Sequence, residues 1–159
     1  MISEAQISDA VELCAVAAAA FASEDYYRPV TAQVNGPPGH DEVSSHKKLI
    51  KDLYYIKYEG EGHILGGCVA DIQHSMAEIH TLFVAPAAMN RGIGKALVNY
   101  LIQHHPKITT WSLSTPDYAA RNHSFYESIG FECTERLPAA PDIGFGFFQY
   151  TMSMNERYT

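Results

Sequence analysis

The stretch Glu78–Leu101, EIHTLFVAPAAMNRGIGKALVNYL, restricts the possible folds more than any other part of the chain. It reads as a strand from about Ala77 to Val84, stopped at Pro86, followed by a short loop. Arg91-Gly92-Ile93-Gly94-Lys95 then opens a helix over about 91–104, with an apolar stripe at Ile93, Ala96, Leu97, Tyr100 and Leu101. Glycines at a helix entrance carry no Cβ, so the backbone there can come close to a ligand. The unpaired N–H groups of the first turn point outward, and the helix dipole favours an anion at that end. Arg91 and Lys95 add cationic side chains to the same mouth. A phosphate or pyrophosphate cradle fits these features, and so does a flexible turn into a core helix. The loop is neither a Walker sequence, which needs Gly-Lys-Ser/Thr, nor a dinucleotide fingerprint, which needs a third glycine.

The rest of the chain sets the context of that loop. At 159 residues the length fits one domain, 1–159, and no linker, repeat or charge block divides it. Hydrophobic residues make up 47% and charged residues 18%, which excludes a disordered chain too polar to offset its folding entropy. The net charge of −7 comes from 11 basic and 18 acidic residues without a Lys/Arg cluster. Nucleic-acid binding is therefore not expected, and a cationic or amine ligand suits the balance better. No apolar run approaches the roughly 18 residues of a membrane span, and no charged leader with an apolar stretch opens the chain, so neither membrane nor export is expected. Cys14, Cys68 and Cys133 are odd in number and not closely paired, which suits reduced thiols in a cytoplasmic protein. His104 and His105 fall on different helix faces, so no metal site is expected.

Periodicity places the remaining elements. Met1–Ala5 reads as a short strand, and Ser8 or Asp9 caps a helix over roughly 8–22 with a stripe at Val11, Cys14, Ala15, Ala18 and Ala22. Residues Ser23–Gly39 are irregular, and a short helix covers about 41–51. Strands are expected at Leu53–Tyr58, Ile64–Asp71 and Lys107–Ser114, the second covered on both faces. A helix begins at Pro116 or Asp117 and ends at Gly130, and Phe131–Arg136 and Phe145–Ser153 form the last strands. The order is mixed α/β around one sheet, with antiparallel hairpins before and after a β-α-β centre.

Two blocks resemble the GNAT superfamily of N-acetyltransferases. Arg91-Gly92-Ile93-Gly94 after Leu82-Phe83-Val84-x-Pro86 is similar to its acetyl-coenzyme A signature. Asn122-His123-Ser124-Phe125-Tyr126-Glu127-Ser128-Ile129-Gly130-Phe131 resembles its "FYEKLGF" block. Met89 stands where the family most often has Gln or Arg. The resemblance implies a GNAT fold and direct attack of a primary amine on acetyl-coenzyme A. Leu82, Phe83 and Val84 would hold the pantetheine arm in a V-shaped gap between two parallel strands. Asn90, Arg91, Gly92, Ile93, Gly94 and Lys95 would hold the pyrophosphate. Asn122 would bond the cofactor, although the family's frequent asparagine earlier in this helix is Ala119 here.

The same resemblance makes Tyr126 the acid that protonates the departing thiolate. An ammonium must lose a proton before it attacks, and two residues on one strand face offer to take it. Glu78 lies at a distance from the glycine loop resembling that of the glutamate in histone-type members. His80 carries an imidazole, which as a class titrates near neutrality; a water relay is the third route. Tyr26, Tyr27, Phe145, Phe147 and Phe148 are expected around the acceptor, a small-molecule or peptide amine. A protein acetyltransferase with an open groove near residues 23–40 and a non-catalytic acyl-coenzyme A sensor are the rivals. A homodimer is an open option.

Overall fold

The computed structural model describes residues 1–24, 36–139 and 141–154. Seven strands form one sheet: β1 (Ile2–Glu4), β2 (Tyr54–Gly60), β3 (His63–Gln73), β4 (Met76–Val84), β5 (Thr110–Pro116), β6 (Glu132–Leu137) and β7 (Phe147–Ser153). Their spatial order is β1-β2-β3-β4-β5-β7-β6. Among the described strands only β4 and β5 pair in parallel; the other neighbours are antiparallel, and β7 runs back between β5 and β6. The helices are α1 (Ala10–Ala22), α2 (Val43–Asp52), α3 (Ile93–His104) and α4 (Ala120–Ser128). The mixed α/β architecture expected from the element order is present.

Alternation along the strands splits the core between the two sheet faces. Cys68 and Ala70 of β3 join Leu97 and Leu101 of α3 and the fully buried Trp111 of β5. Val69 and Phe83 point the other way, against Leu13 and Ala17 of α1. Burying a leucine such as Leu97 contributes roughly 1.5–3 kcal/mol, so α3 is held by its stripe rather than by its short length. This is why β3 reads as a nearly continuous apolar run.

The buried stripe of α1 and several element boundaries, among them the starts of α4, β5 (Thr110 rather than Lys107) and β7, differ from the sequence reading. Helix α1 buries Ala10, Leu13, Cys14, Ala17 and Ala20, while Val11 is exposed. Alanine on every face makes the stripe ambiguous there, and Leu13, the bulkiest apolar side chain of the first turns, takes the inward position. Helix α4 starts at Ala120 rather than at Pro116, because Pro116 still pairs with Phe147 as the last residue of β5. Asp117 then bonds Gly146 twice, its N–H to the Gly146 carbonyl at 2.9 Å and its Oδ2 from the Gly146 N–H at 3.0 Å. Those bonds hold the chain off the helix and also delay β7 to Phe147.

The feature that positions the site is a parting of the two parallel strands. β4 and β5 pair only from Met76↔Thr110 to Ile79↔Leu113. On the β3 side, Ala70 faces Ile79 and Val69 faces Thr81, so His80 is an extra residue, a β-bulge that kinks β4. Beyond it Leu82, Phe83 and Val84 stay paired with β3 and have no partner in β5, which continues along β7 instead. A wedge opens between the strands at their C-terminal ends.

Phe83 is fixed in that region by Gly67. A Cβ on Gly67 would sit 2.6 Å from Phe83 Cζ, so Gly67→Ala forces a buried ring to move. The expected cost is about 1–3 kcal/mol, read as a lower urea midpoint at unchanged slope. An unaltered midpoint would mean that the ring yields freely.

Candidate active site

A cleft of about 770 Å³ fills the wedge and runs along α3 and α4. One wall is Leu82–Val84, whose outward peptide groups lack a ladder partner in β5. The far end is the start of α3. Asn90 (φ +64°) and Gly92 (φ +81°) both take the left-handed conformation, and Gly92 caps the helix without a side-chain bond. The first-turn N–H groups of Ile93, Gly94 and Lys95 therefore have no side-chain cap, and all three residues line the cleft. Ile93 contributes through its backbone, since its side chain is buried in the core. Gly94 has a second role: a Cβ there would lie 3.1 Å from Phe125 Cζ, so the glycine lets α4 approach α3.

Of the residues expected to hold a cofactor, Leu82, Phe83, Val84, Asn90, Gly92, Ile93, Gly94, Lys95 and Asn122 line this one cleft. Arg91 does not; its side chain is exposed outside the wall. A cation that sequence reasoning missed stands closer. Arg121 of α4 lines the cleft and directs Nη2 at Met89 Sδ, 3.4 Å away. It brings a guanidinium beside the position where the family pattern usually has Gln or Arg. Arg121, Ser124 and Ser128 recur at helical spacing, a signal overshadowed by the apolar stripe beside them.

A second cavity of about 330 Å³ lies beyond the wedge. It shares Phe21, Glu24, Leu82, Asn122 and Tyr126 with the larger cleft, so these residues mark the junction. Ile79, Leu113, Ile143, Phe145 and Phe147 give it apolar walls. Thr81 lines it as well, and its Oγ1 is buried with no hydrogen-bond partner among the described residues. Burial, with smaller contributions from Cys68 and Glu24, pushes the Tyr126 phenol well above its ordinary range. The group stays protonated at neutral pH and can only donate or accept as a neutral hydroxyl. Asn122 donates from Nδ2 to Thr115 Oγ1 at 3.2 Å, which ties α4 to the end of β5.

The two expected proton acceptors occupy different places. His80 lines the second cavity, with its side chain 38% exposed. Glu78 lines neither cavity; its Oε1 lies 3.8 Å from His80 Nε2 on the solvent side. Phe145 and Phe147 reach the cavity as expected, whereas Phe148 does not. Adjacent strand residues face opposite ways, and Phe148 packs on His123 at 4.8 Å under the Arg136 guanidinium at 4.7 Å. Tyr26 and Tyr27 lie outside the described residues. Among the described residues no three His, Cys, Asp or Glu cluster as a metal site, no helix is long and apolar enough to cross a membrane, and Cys14, Cys68 and Cys133 are free.

The arrangement suits a long ligand, anionic at one end and amide-like along the β4 edge. Residues 51–133, just over half of the 159-residue chain, match the family model described as an acetyltransferase (GNAT) domain. The chain belongs to the GNAT acetyltransferase family. It is 33% identical over 92 residues to the peptidyl-lysine N-acetyltransferase YiaC of Escherichia coli, a match that covers 55% of this chain and 59% of that protein. Its fold resembles the PaiA N-acetyltransferase of Thermoplasma acidophilum, solved in complex with coenzyme A, at TM-score 0.75 and 18% identity over 96% of this chain and 98% of that one. A ribosomal-protein-alanine N-acetyltransferase of Brucella melitensis follows at TM-score 0.72 and 17% identity, over 96% and 99%.

The helix entrance offers a direct test of its geometry. A Cβ on Gly92 meets nothing within 4 Å, so only the left-handed backbone opposes a side chain there. Gly92→Asn, a residue that tolerates this conformation, should stay near wild-type stability, while Gly92→Val should lose about 1–2 kcal/mol or more in urea unfolding. Equal costs for the two variants would contradict the strained cap.

Proposed function

We propose that this protein moves the acetyl group of acetyl-coenzyme A to a primary amine of a small molecule or peptide. The observation that carries the reading is the junction of the two cavities at Tyr126. The larger cleft would take the coenzyme. Peptide groups of Leu82, Phe83 and Val84 would bond its pantetheine arm, and the N–H groups from Asn90 to Lys95 would hold the pyrophosphate. Lys95 and Arg121 supply positive charge at that end. The coenzyme A complex of the PaiA enzyme, with the same fold, supports this assignment.

When bound, acetyl-coenzyme A supplies an activated acetyl thioester. Tyr126 donates its proton to the departing sulfur, and its elevated pKa keeps that proton available at neutral pH. Asn122, fixed through Thr115, presents its remaining amide groups to the coenzyme at the junction. His80, on the acceptor wall, takes the proton of the amine directly or through water. Glu78 stands 3.8 Å behind it and stabilises the charge that His80 gains. The names of the peptidyl-lysine and ribosomal-protein-alanine enzymes support a peptide amine within the proposed class.

Two substitutions test the chemistry. Tyr126→Phe keeps the ring, so coenzyme A affinity by calorimetry should hold while kcat falls roughly 10²–10⁴-fold, the usual worth of a general acid. A loss of less than about threefold, with chemistry rate-limiting, would assign Tyr126 to packing. His80→Gln should lower kcat/KM more than Glu78→Gln does. The reverse order would make Glu78 the proton acceptor, with His80 only lining the cavity.

A further inference from the structure

Charge is sorted between the two cavities. The coenzyme cleft has Lys95, Arg121 and the amino end of α3 along its walls. The acceptor cavity has no Lys or Arg among its described lining residues; its titratable groups are Glu24, His80 and Tyr126. Glu24 lies just past the Ser23 cap of α1, and its backbone is fixed by a bond from its N–H to the Phe21 carbonyl at 3.1 Å. The end of α1 thus carries a carboxylate across the open end of the sheet to the junction, where Glu24 lines both cavities together with Tyr126.

Among the described residues no cation forms an ion pair with this carboxylate. Arg121 is its nearest charged neighbour, lining a small cavity together with Glu24, and directs its Nη2 at Met89 Sδ rather than at the carboxylate. No Lys or Arg nitrogen approaches Glu24 within 4.0 Å among the described ion pairs. Burial pushes the Glu24 carboxyl above its ordinary range, with Arg121 only partly opposing the shift. A partly desolvated carboxylate without a paired cation gains most from a ligand that brings one.

We propose that Glu24 is the binding carboxylate for the acceptor: it holds the amine as a cation at the cavity junction, beside Tyr126, and so selects primary ammonium groups carried on apolar stems. The stem would lie between Phe145, Phe147, Ile79 and Leu113, in a cavity of about 330 Å³ that suits an unbranched alkyl chain. Thr81 Oγ1, buried without a partner among the described residues, offers the ammonium a further acceptor. Glu24 orients the nitrogen, and His80 removes its proton before attack. The proposal rests on the acetyl-transfer reading for where the amine goes, but its test does not depend on turnover.

Hexylamine, an ammonium at pH 7, and hexan-1-ol, its neutral counterpart, are titrated calorimetrically into the full chain saturated with coenzyme A. Wild type should bind hexylamine roughly tenfold or more tightly than hexanol, the worth of a charge-assisted hydrogen bond. Glu24→Gln should bind the two about equally, and Glu24→Asp should keep part of the preference. With acetyl-coenzyme A, Glu24→Gln should raise KM for hexylamine more than it lowers kcat. A wild-type protein without the preference, or a folded Glu24→Gln that retains it, overturns the proposal. Glu24-dependent binding without acetyl transfer would leave the carboxylate assignment standing and remove the proposed function. Acetylation that proceeds with the preference intact in Glu24→Gln would do the opposite.

Discussion

The parting of β4 from β5 after the Ile79↔Leu113 pair is the constraint on which the rest of the site depends. Backbone groups in the middle of a sheet normally bond on both sides, and leaving a row of them unmatched is costly unless a solvent or ligand takes the place of the missing strand. The bulge at His80 imposes that situation on Leu82–Val84 while β3 continues to hold the other side of the strand. Antiparallel pairing of β5 with β7 through Pro116 keeps the second arm of the wedge in place. The open edge is therefore built by register and does not depend on a mobile element.

Around that wedge the electrostatics are divided. Peptide dipoles and two cationic side chains gather where α3 begins, and the acceptor side holds Glu24 and His80 between aromatic walls. Low-dielectric surroundings strengthen each of these preferences and also keep the Tyr126 phenol neutral. An anionic coenzyme and a cationic amine would so be drawn to opposite ends of one continuous cavity, with Tyr126 where they meet. Membership of the GNAT family agrees with the coenzyme half of this picture.

Much of this was legible in the residues. The strand, loop and glycine-bearing helix entrance of Glu78–Leu101 carry strong local signals, because pattern, breakers and left-handed glycine all act over a few residues. The doubly covered β3 was legible for the same reason. What escaped reading is tertiary. The start of α4 depends on Asp117 bonding Gly146, twenty-nine positions away. Phe148 faces His123 and the core, away from the second cavity, because of strand parity, which an aromatic run conceals. Arg121 reaches Met89 from a different element. Glu24 has no motif at all; it matters because α1 ends over the wedge, and nothing in an alanine-rich helix announces where its last turn will lie.

On the proposed reading the wedge and the helix entrance receive one ligand together. Backbone amide shifts of the ¹⁵N-labelled chain, followed during titration with coenzyme A, test it most directly. The amides of Leu82–Val84 and Asn90–Lys95 should move along one saturating isotherm, with Tyr126 and Arg121 following and the β1–β2 edge unmoved. Saturable binding that leaves both Leu82–Val84 and Asn90–Lys95 in place would contradict it.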